Sequence, residues 1–325
     1  MRAAIYTSTG KAADVLHLVE REPVPPAAAE VRVKLALSGV NPSDVKSRAG
    51  TSSRPLSYAE VIPHSDGAGT VEAVGAGVDA GLIGRRVWVY NGQWDRAHGT
   101  AAAAITLPSA QAVPLPDNVS FAEGASIGIP LMTAFHAIAA CGSLIGRSVL
   151  VFGAAGSVGF YATQLARIGG ARVIGVVSSA AKAAVALAAG ARETVNYRVE
   201  DVTARVRALT GGAGVDYIIE VDAAGNAGRY GDLLTFGGKV VIYGTNARDV
   251  PVPFGPMILG FVTLYFFIVY KLPPKLMRET IGGVSQLLAQ GVLKHPEPAV
   301  YPLDQIVAAH ERVEAGANAK VLIRL

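Results

Sequence analysis

Gly153, Gly156 and Gly159 recur at every third position in the run Gly153-Ala-Ala-Gly-Ser-Val-Gly159. Backbone without side chains, aimed at a helix start, approaches a pyrophosphate closely and offers it unpaired N–H groups. The spacing departs from G-x-G-x-x-G, because Ala154 takes the place of its first glycine and the extra glycine sits one residue earlier. The alternative is a glycine turn that merely lets a helix pack close. Further on, Val176-Val-Ser-Ser-Ala-Ala-Lys182 has no carboxylate where an NAD-binding chain uses one to hold the ribose 2′-hydroxyl. The hydroxyls of Ser178 and Ser179 and the ammonium of Lys182 suit a 2′-phosphate instead, since they supply hydrogen bonds and positive charge. The plainer reading has the serines capping the next helix and Lys182 as a solvated charge.

Both groups of residues need a scaffold. Val149, Leu150, Val151 and Phe152 form an apolar run too short for a helix, as in a strand buried on both faces of a parallel sheet. Beyond the glycines Val158, Tyr161 or Ala162, Leu165 and Ile168 fall three or four apart with Gln164 and Arg167 opposite, so a helix packs back on the sheet. Strands follow at Arg172–Val177, Glu193–Val195, Val215–Val221 and Lys239–Tyr243, with a sixth in the aromatic run ending near Val269. Alternation with helices predicts a six-strand, doubly wound parallel sheet. Residues 1 to about 122 read as short strands and turns, suggesting a small barrel. Within them Val31, Val33, Leu35 and Leu37 alternate with polar or small residues, and Ser43 or Asp44 is expected to cap a short helix after Pro42. The composition becomes Ala-rich and helix-favouring past Pro114-Leu-Pro-Asp117, and the domain boundary is placed there. The last helices, over Glu279–Gln290 and Leu303–Glu314, and a closing strand over Ala319–Leu325 are expected to return to the first domain.

A chain of 325 residues accommodates two domains, each with its own core. Hydrophobic residues at 51% against 17% charged exclude a disordered chain. The 29 Lys and Arg against 25 Asp and Glu give +4 and a pI near 9.1, but the basic residues are scattered singly, which argues against a nucleic-acid surface. One cysteine, Cys141, excludes an internal disulfide and a Cys-rich zinc lobe, and reads as a small buried residue. The N-terminus enters an alternating strand pattern with no apolar core of signal-peptide length, so a cytoplasmic location is expected. The apolar run from Met257 to Tyr270 spans about 14 residues against the ~20 of a spanning helix. Rich in aromatic and β-branched residues, it reads as a buried strand, the alternative being a lipid-facing segment.

Several motifs in order resemble the zinc-free quinone oxidoreductases, zeta-crystallin-like members of the medium-chain dehydrogenase/reductase superfamily. They are the glycine loop, Ser178-Ser-x-x-Lys182, Val195-Asn-Tyr197, Gly39-Val-Asn-Pro-Ser-Asp44 and Pro63-x-Ser-Asp-Gly-Ala-Gly69, and the similarity runs over nearly the whole chain. The resemblance implies an α/β protein in which a GroES-like β-barrel domain, residues 1–122 completed by 271–325, joins a Rossmann doubly wound parallel sheet that binds NADPH over residues 123–270. Carried over by position, Ala155, Gly156, Ser157 and Val158 would meet the pyrophosphate, and Ser178, Lys182 and Tyr197 the adenosine end. Tyr243, Gly244 and Thr245 would lie beneath the cofactor, and Phe267 and Ile268 near the nicotinamide. Asn41 and Thr133 would contact the nicotinamide ribose and carboxamide, and Asn318 and Lys320 would reach in from the closing strand. A homodimer is expected through the aromatic strand, an open apolar edge that a twin copy would hide.

The chain departs from the family at two places. Many relatives carry a tyrosine over the nicotinamide where this chain has Ser52, which leaves Tyr58 beside Asn41 as the candidate substrate residue. The zinc-dependent cousins have a Cys ligand after the first barrel strand and a Gly-His-Glu before the glycines. Here Asn41 to Asp44 contains no Cys and Ser65 stands where the His ligand would be, so His64 reads as structural or pocket-lining and no metal is expected.

The expected chemistry is hydride transfer from NADPH to a quinone or similar electrophile, for which the protein positions the nicotinamide and excludes water. No Ser/His/acid set and no proton donor emerges, so no residue is assigned an acid–base role. One rival is reduction of enones or alkenals, with Tyr58 or Tyr270 as donor. Another is a non-catalytic NADPH-binding module with a structural or regulatory role.

Overall fold

The computed structural model describes residues 1–52, 56–316 and 319–325. The chain divides into two compact units, residues 130–284 and residues 1–129 with 285–325. The division falls inside the helix Phe121–Cys141, next to its internal Pro130. That helix is the one among the described residues long and apolar enough to cross a membrane, and 78% of its most apolar stretch is buried within the protein.

Residues 130–284 carry six parallel strands in the order Glu193–Asn196, Arg172–Val177, Ser148–Phe152, Val215–Glu220, Leu234–Ile242, Thr263–Phe266. From Ser148–Phe152 the chain steps outward twice, then returns to the opposite side at Val215. The strand order therefore reverses between Ser148–Phe152 and Val215–Glu220, the place where doubly wound sheets bind ligands at their carboxyl ends. Leu150, Phe152, Ile174 and Val176 project to one face and bury Val202, Val206 and Tyr230 against it. The helix Ser157–Ile168 packs on the same sheet and is buried from Gly159 through Ala166. Gln164, expected on the solvent side, is therefore inside, and Ile168, expected against the sheet, is exposed. The neighbouring helix Ala180–Ala189 packs against this helix and covers the face that the periodicity assigned to water.

The run Met257–Tyr270 is not the buried strand expected. It begins within a helix, Phe254–Leu259, and continues into the four-residue strand Thr263–Phe266. That strand ends the sheet with one neighbour, so among the described residues no further strand pairs with its outer edge.

In the other unit, Ala299–Pro302, Val321–Arg324, Glu30–Val40, Asp66–Val74, Arg86–Val89 and Ala112–Pro114 follow one another in a seven-stranded sheet, with Ala104–Pro108 also paired to Glu30–Val40. The alternation read in the sequence is present, since Val31, Val33 and Leu35 turn inward to join Val71, Val87, Val89, Ile105 and Leu107. Val321–Arg324 pairs antiparallel with residues 37–40, so the end of the chain completes the sheet begun by its start. A second core gathers Ala3, Tyr6, Val40 and Ile62 with Leu303, Ile306 and Ala309. The short helix Pro42–Ala49 takes Asn41, not Ser43 or Asp44, as its N-cap. Pro42 occupies the first helical position, where its missing N–H costs nothing, and this moves the cap back one residue. Asp44 instead reaches back to accept the Asn41 N–H at 2.8 Å.

Candidate functional site

In the unit of residues 130–284 the strand Ser148–Phe152 ends at Gly153, whose φ of 68° lies in the left-handed region that only glycine adopts freely. The Gly156 N–H closes the turn on the Gly153 carbonyl at 2.8 Å, and Gly156 is the N-cap of the helix Ser157–Ile168. The third glycine serves packing, because a Cβ at Gly159 would overlap the Gly153 carbonyl oxygen. Gly156 is exposed and has no capping side chain, so the first-turn N–H groups of this helix are open to water or to an anionic ligand. Ala155, Ser157 and Val158 are half-buried along the same turn.

The second strand ends at Val177, with Ser178 and Ser179 following. Ser179 caps the helix Ala180–Ala189, its hydroxyl accepting the Lys182 N–H at 3.2 Å. The capping reading is thus correct for Ser179. The Ser178 hydroxyl and the Lys182 ammonium have no partner among the described residues. Tyr197, exposed, follows the adjacent strand and donates its N–H to the Val177 carbonyl at 3.1 Å, which brings it beside Ser178. This set carries donors and no carboxylate, and it fits the 2′-phosphate end of NADPH while the glycine turn fits its pyrophosphate.

At the other side of the reversal point, Tyr243 N–H donates to the Glu220 carbonyl at 3.1 Å and Ala223 N–H to the Gly244 carbonyl at 3.1 Å. The buried Glu220 carboxylate accepts the Asp222 N–H at 2.6 Å, Asn226 Nδ2 at 3.1 Å and the Tyr230 hydroxyl at 3.0 Å. Asp222 in turn accepts the Asn246 N–H at 3.1 Å, so the segment Tyr243-Gly244-Thr245 is pinned by the loop that follows Glu220. Burial, and then the Glu220 charge, push the Tyr243 phenol well above its ordinary range. Phe267 is tied to the Ile242 carbonyl by its N–H at 3.1 Å, and Ile268 beside it is partly exposed. His136, one helical turn after the buried Thr133, meets Phe267 edge to face at 4.7 Å between centroids and pairs with the Tyr265 hydroxyl at 3.0 Å. Burial holds His136 below the usual histidine range. Periodicity gave no sign of this aromatic group, because its members come from a helix and a strand more than a hundred residues apart.

The unit of residues 1–129 and 285–325 holds a buried polar cluster around Asn41. Lys320 Nζ donates to Asn41 Oδ1 at 2.6 Å and to Asp66 Oδ2 at 3.1 Å, and Asn41 Nδ2 donates to Asp66 Oδ2 at 2.8 Å. The other Asp66 oxygen accepts the Ile129 N–H at 2.8 Å. Asp44 is the second carboxyl of the cluster. Burial, and then the charge of Asp66, push it up to about 7, against the pull of the Asn41 hydrogen bond and of Lys320. Asn318 lies outside the described residues, and Tyr58 packs against the core of Ala3, Tyr6 and Ile62.

Because Asp44 holds its proton more readily folded than unfolded, its contribution to stability is fully present below about pH 3.8 and is lost as pH rises through about 7. At about 1.4 kcal/mol per pH unit the upper bound is about 4 kcal/mol. Asp44→Asn, which keeps the hydrogen bond to the Asn41 N–H, is expected to flatten the fall in melting temperature between pH 5 and pH 8. An identical fall in parent and variant would show that Asp44 is ionised throughout.

Next to this cluster His64, fully buried and left-handed at φ 77°, points Nδ1 at the Ser38 hydroxyl at 2.8 Å and Nε2 at His310 Nε2 at 2.9 Å. The Thr100 hydroxyl donates to the Asp66 carbonyl at 2.6 Å and lies 2.8 Å from Ser38 Oγ. That leaves the Ser38 proton for Thr100, the His64 Nδ1 proton for Ser38 and the His310 Nε2 proton for His64, with His310 Nδ1 a bare, unpartnered acceptor. Burial holds both rings below the usual range, His310 at about 3, so the pair is neutral. Of the two readings the sequence left for His64, structural or pocket-lining, full burial with both ring nitrogens hydrogen-bonded favours the structural one. Asp66, Ser38, Thr100 and His310 were not singled out from the sequence, where only the run through Asp66 stood out.

Among the described residues no group of three or more His, Cys, Asp or Glu side chains is placed to hold a metal ion. Cys141 is buried, with its thiol pushed up to about 12 by desolvation, and is inert.

Residues 27–117 match the alcohol dehydrogenase GroES-like domain family and residues 157–290 the zinc-binding dehydrogenase family. The chain is 32% identical over 308 residues to the quinone oxidoreductase of Homo sapiens, covering 91% of this chain and 89% of that one. It is 31% identical over 317 residues to quinone oxidoreductase 1 of Escherichia coli (strain K12), covering 94% of each. The solved structure of the Escherichia coli quinone oxidoreductase complexed with NADPH superposes with a TM-score of 0.85 at 27% identity, over the full length of both chains.

Proposed function

The chain belongs to the quinone oxidoreductase family, and from that premise we propose that it is an NADPH-dependent reductase of quinones that works without a metal. The single observation that carries the cofactor choice is the end of the second strand, where Lys182 and Ser178 stand unpartnered and no carboxylate is present. Bound NADPH would supply a hydride from C4 of its nicotinamide. The work of the protein is then binding and orientation. Gly156, Ala155, Ser157 and Val158 hold the pyrophosphate, and Ser178, Lys182 and Tyr197 the adenosine phosphate. Tyr243, Gly244, Thr245, Thr133, Phe267 and Ile268 seat the nicotinamide end. Asn41, its amide oriented by Asp66 and Lys320, is a further contact proposed for the nicotinamide ribose. Asn318 and Tyr58 stay candidate contacts of cofactor and substrate.

The test is NADPH oxidation against quinones, enones and aldehydes, with and without a chelator. Turnover with quinones that chelation leaves unchanged supports the reading. Preference for enones would make the protein a double-bond reductase, and tight NADPH binding without oxidation by any acceptor would make it a non-catalytic module.

The protein is further read as a cytoplasmic homodimer acting on a small molecule, with no membrane or nucleic acid involved. Phe236, Phe254, Leu259 and Phe261 are 71% to 79% exposed beside the open edge strand, and the rings of Phe236 and Phe261 touch at 5.0 Å between centroids. Such an edge and apolar surface aggregate unless covered, and a two-fold copy covers both. Sedimentation at micromolar concentration is expected to give a dimer, and Leu259→Lys with Phe261→Asp a folded monomer. A monomeric parent would contradict this.

A further inference from the structure

Asn91 belongs to none of the groups above. The strand Arg86–Val89 runs antiparallel to Asp66–Val74 with Val89 opposite Gly67. Past Val89 the chain leaves the ladder, and the Gly92 N–H donates to the Ser65 carbonyl at 2.9 Å. Asn91 therefore stands beside Ser65 and Asp66, next to the cluster in which Asp66 orients Asn41 and Lys320. Its backbone is left-handed at φ 52°, and its side chain is nearly sealed, with 4% exposure. The amide oxygen is buried with no hydrogen-bond partner, whereas the amide nitrogen is not sealed in with it and has no partner among the described residues.

Asparagine tolerates a left-handed backbone, and that alone would explain its presence. An asparagine chosen for conformation alone turns its amide to nearby backbone or to water, where both ends are satisfied. Here a polar group sits in the interior without a partner, a costly arrangement that persists where a ligand completes it. The missing partner must donate to Oδ1, and one that can also accept from Nδ2 satisfies both ends of the amide. A quinone has this dual character. Its carbonyl oxygens are acceptors, and two-electron reduction, by one hydride from NADPH and one proton from water, turns them into hydroxyl donors. An amide serves both forms, whereas a carboxylate or an ammonium serves one.

We propose that Asn91 is a substrate-binding residue that holds an oxygen of the quinone, Nδ2 donating to the carbonyl and Oδ1 accepting from the hydroxyl that replaces it. The proposal rests on the quinone-reductase reading. Its probe is 9,10-phenanthrenequinone, with two variants that separate the amide from the backbone. Asn91→Gly keeps the left-handed conformation and removes the amide, and Asn91→Asp keeps the shape and replaces the NH2 donor by an oxygen. Both are expected to lower kcat/KM for this quinone about tenfold, mainly through KM, while NADPH affinity stays within about twofold of the parent. Quenching of tryptophan fluorescence by the quinone in the NADP+ complex gives a readout without turnover, and its dissociation constant is expected to rise by about the same factor. Asn91→Gly with parental KM and parental quinone binding would overturn the proposal and leave the amide a conformational feature satisfied by water. A parent that neither binds nor reduces the quinone would overturn the underlying functional reading as well.

Discussion

Gly156→Val is expected to raise the dissociation constant of NADPH more than a hundredfold in a protein that stays folded. The three glycines of the turn are not equivalent. Gly153 needs its left-handed backbone and Gly159 has no room for a Cβ, so substitution at either damages the turn itself. Gly156 has an ordinary φ of −77°, is exposed, and would place a Cβ 3.2 Å from the Gly153 carbonyl oxygen, tight but accommodated by a small shift. The branched side chain then occupies the space in front of the first-turn N–H groups, where the proposed reading seats the pyrophosphate. Loss of several hydrogen bonds to a charged group, at about 1.5 to 3 kcal/mol each, exceeds a hundredfold in affinity. Circular dichroism and thermal melting establish that the variant is folded, and fluorescence titration gives the affinity. Parental affinity in a folded Gly156→Val protein would mean that the phosphates bind elsewhere.

Lys182→Ala is expected to weaken NADPH about ten- to hundredfold and to leave NADH within about twofold, because only the 2′-phosphate distinguishes the two ligands. Lys182 is half-buried in the first turn of the helix capped by Ser179, and no carboxylate pairs with it among the described residues. Its partial exposure lets salt screen the contact, so the difference between the cofactors should shrink as ionic strength rises, and the lower figure applies near physiological salt. The Ser179 hydroxyl accepts the Lys182 N–H and keeps its own proton, so capping leaves it able to donate to a 2′-phosphate alongside Ser178 and Lys182 in the proposed reading. Equal losses for NADPH and NADH would assign Lys182 a supporting role in the loop.

The parallel sheet and its glycine turn were legible because each strand is a short apolar run bounded by turn residues, and the turn is a local signal. The solvent face of the helix Ser157–Ile168 was not, since its covering helix lies beyond the next strand in the sequence and periodicity records only local preference. The exposed aromatic edge was misread for a related reason. Phe261 and Phe266 look like core residues to composition, although the place of this strand as the last of the sheet already pointed to an open edge, and both rings are exposed. The cofactor turn could be read as a motif, but the buried network of Asp44, Asp66 and Lys320 could not. Lys320 stands 254 residues from Asp66 and further still from Asp44, and they meet only when the closing strand pairs with residues 37–40. Asn91 gave no signal at all, because an asparagine between Tyr90 and Gly92 reads as an ordinary turn.

The most direct test of the account is to mix the purified protein, treated with a chelator, with NADPH and 9,10-phenanthrenequinone without oxygen and to follow the loss of NADPH absorbance. Oxidation is expected to be saturable in both substrates, proportional to protein, faster with NADPH than with NADH at equal low concentration, and unchanged by chelation. Tight binding of NADPH with no oxidation by this or any other quinone, or activity that chelation abolishes and zinc restores, would contradict it.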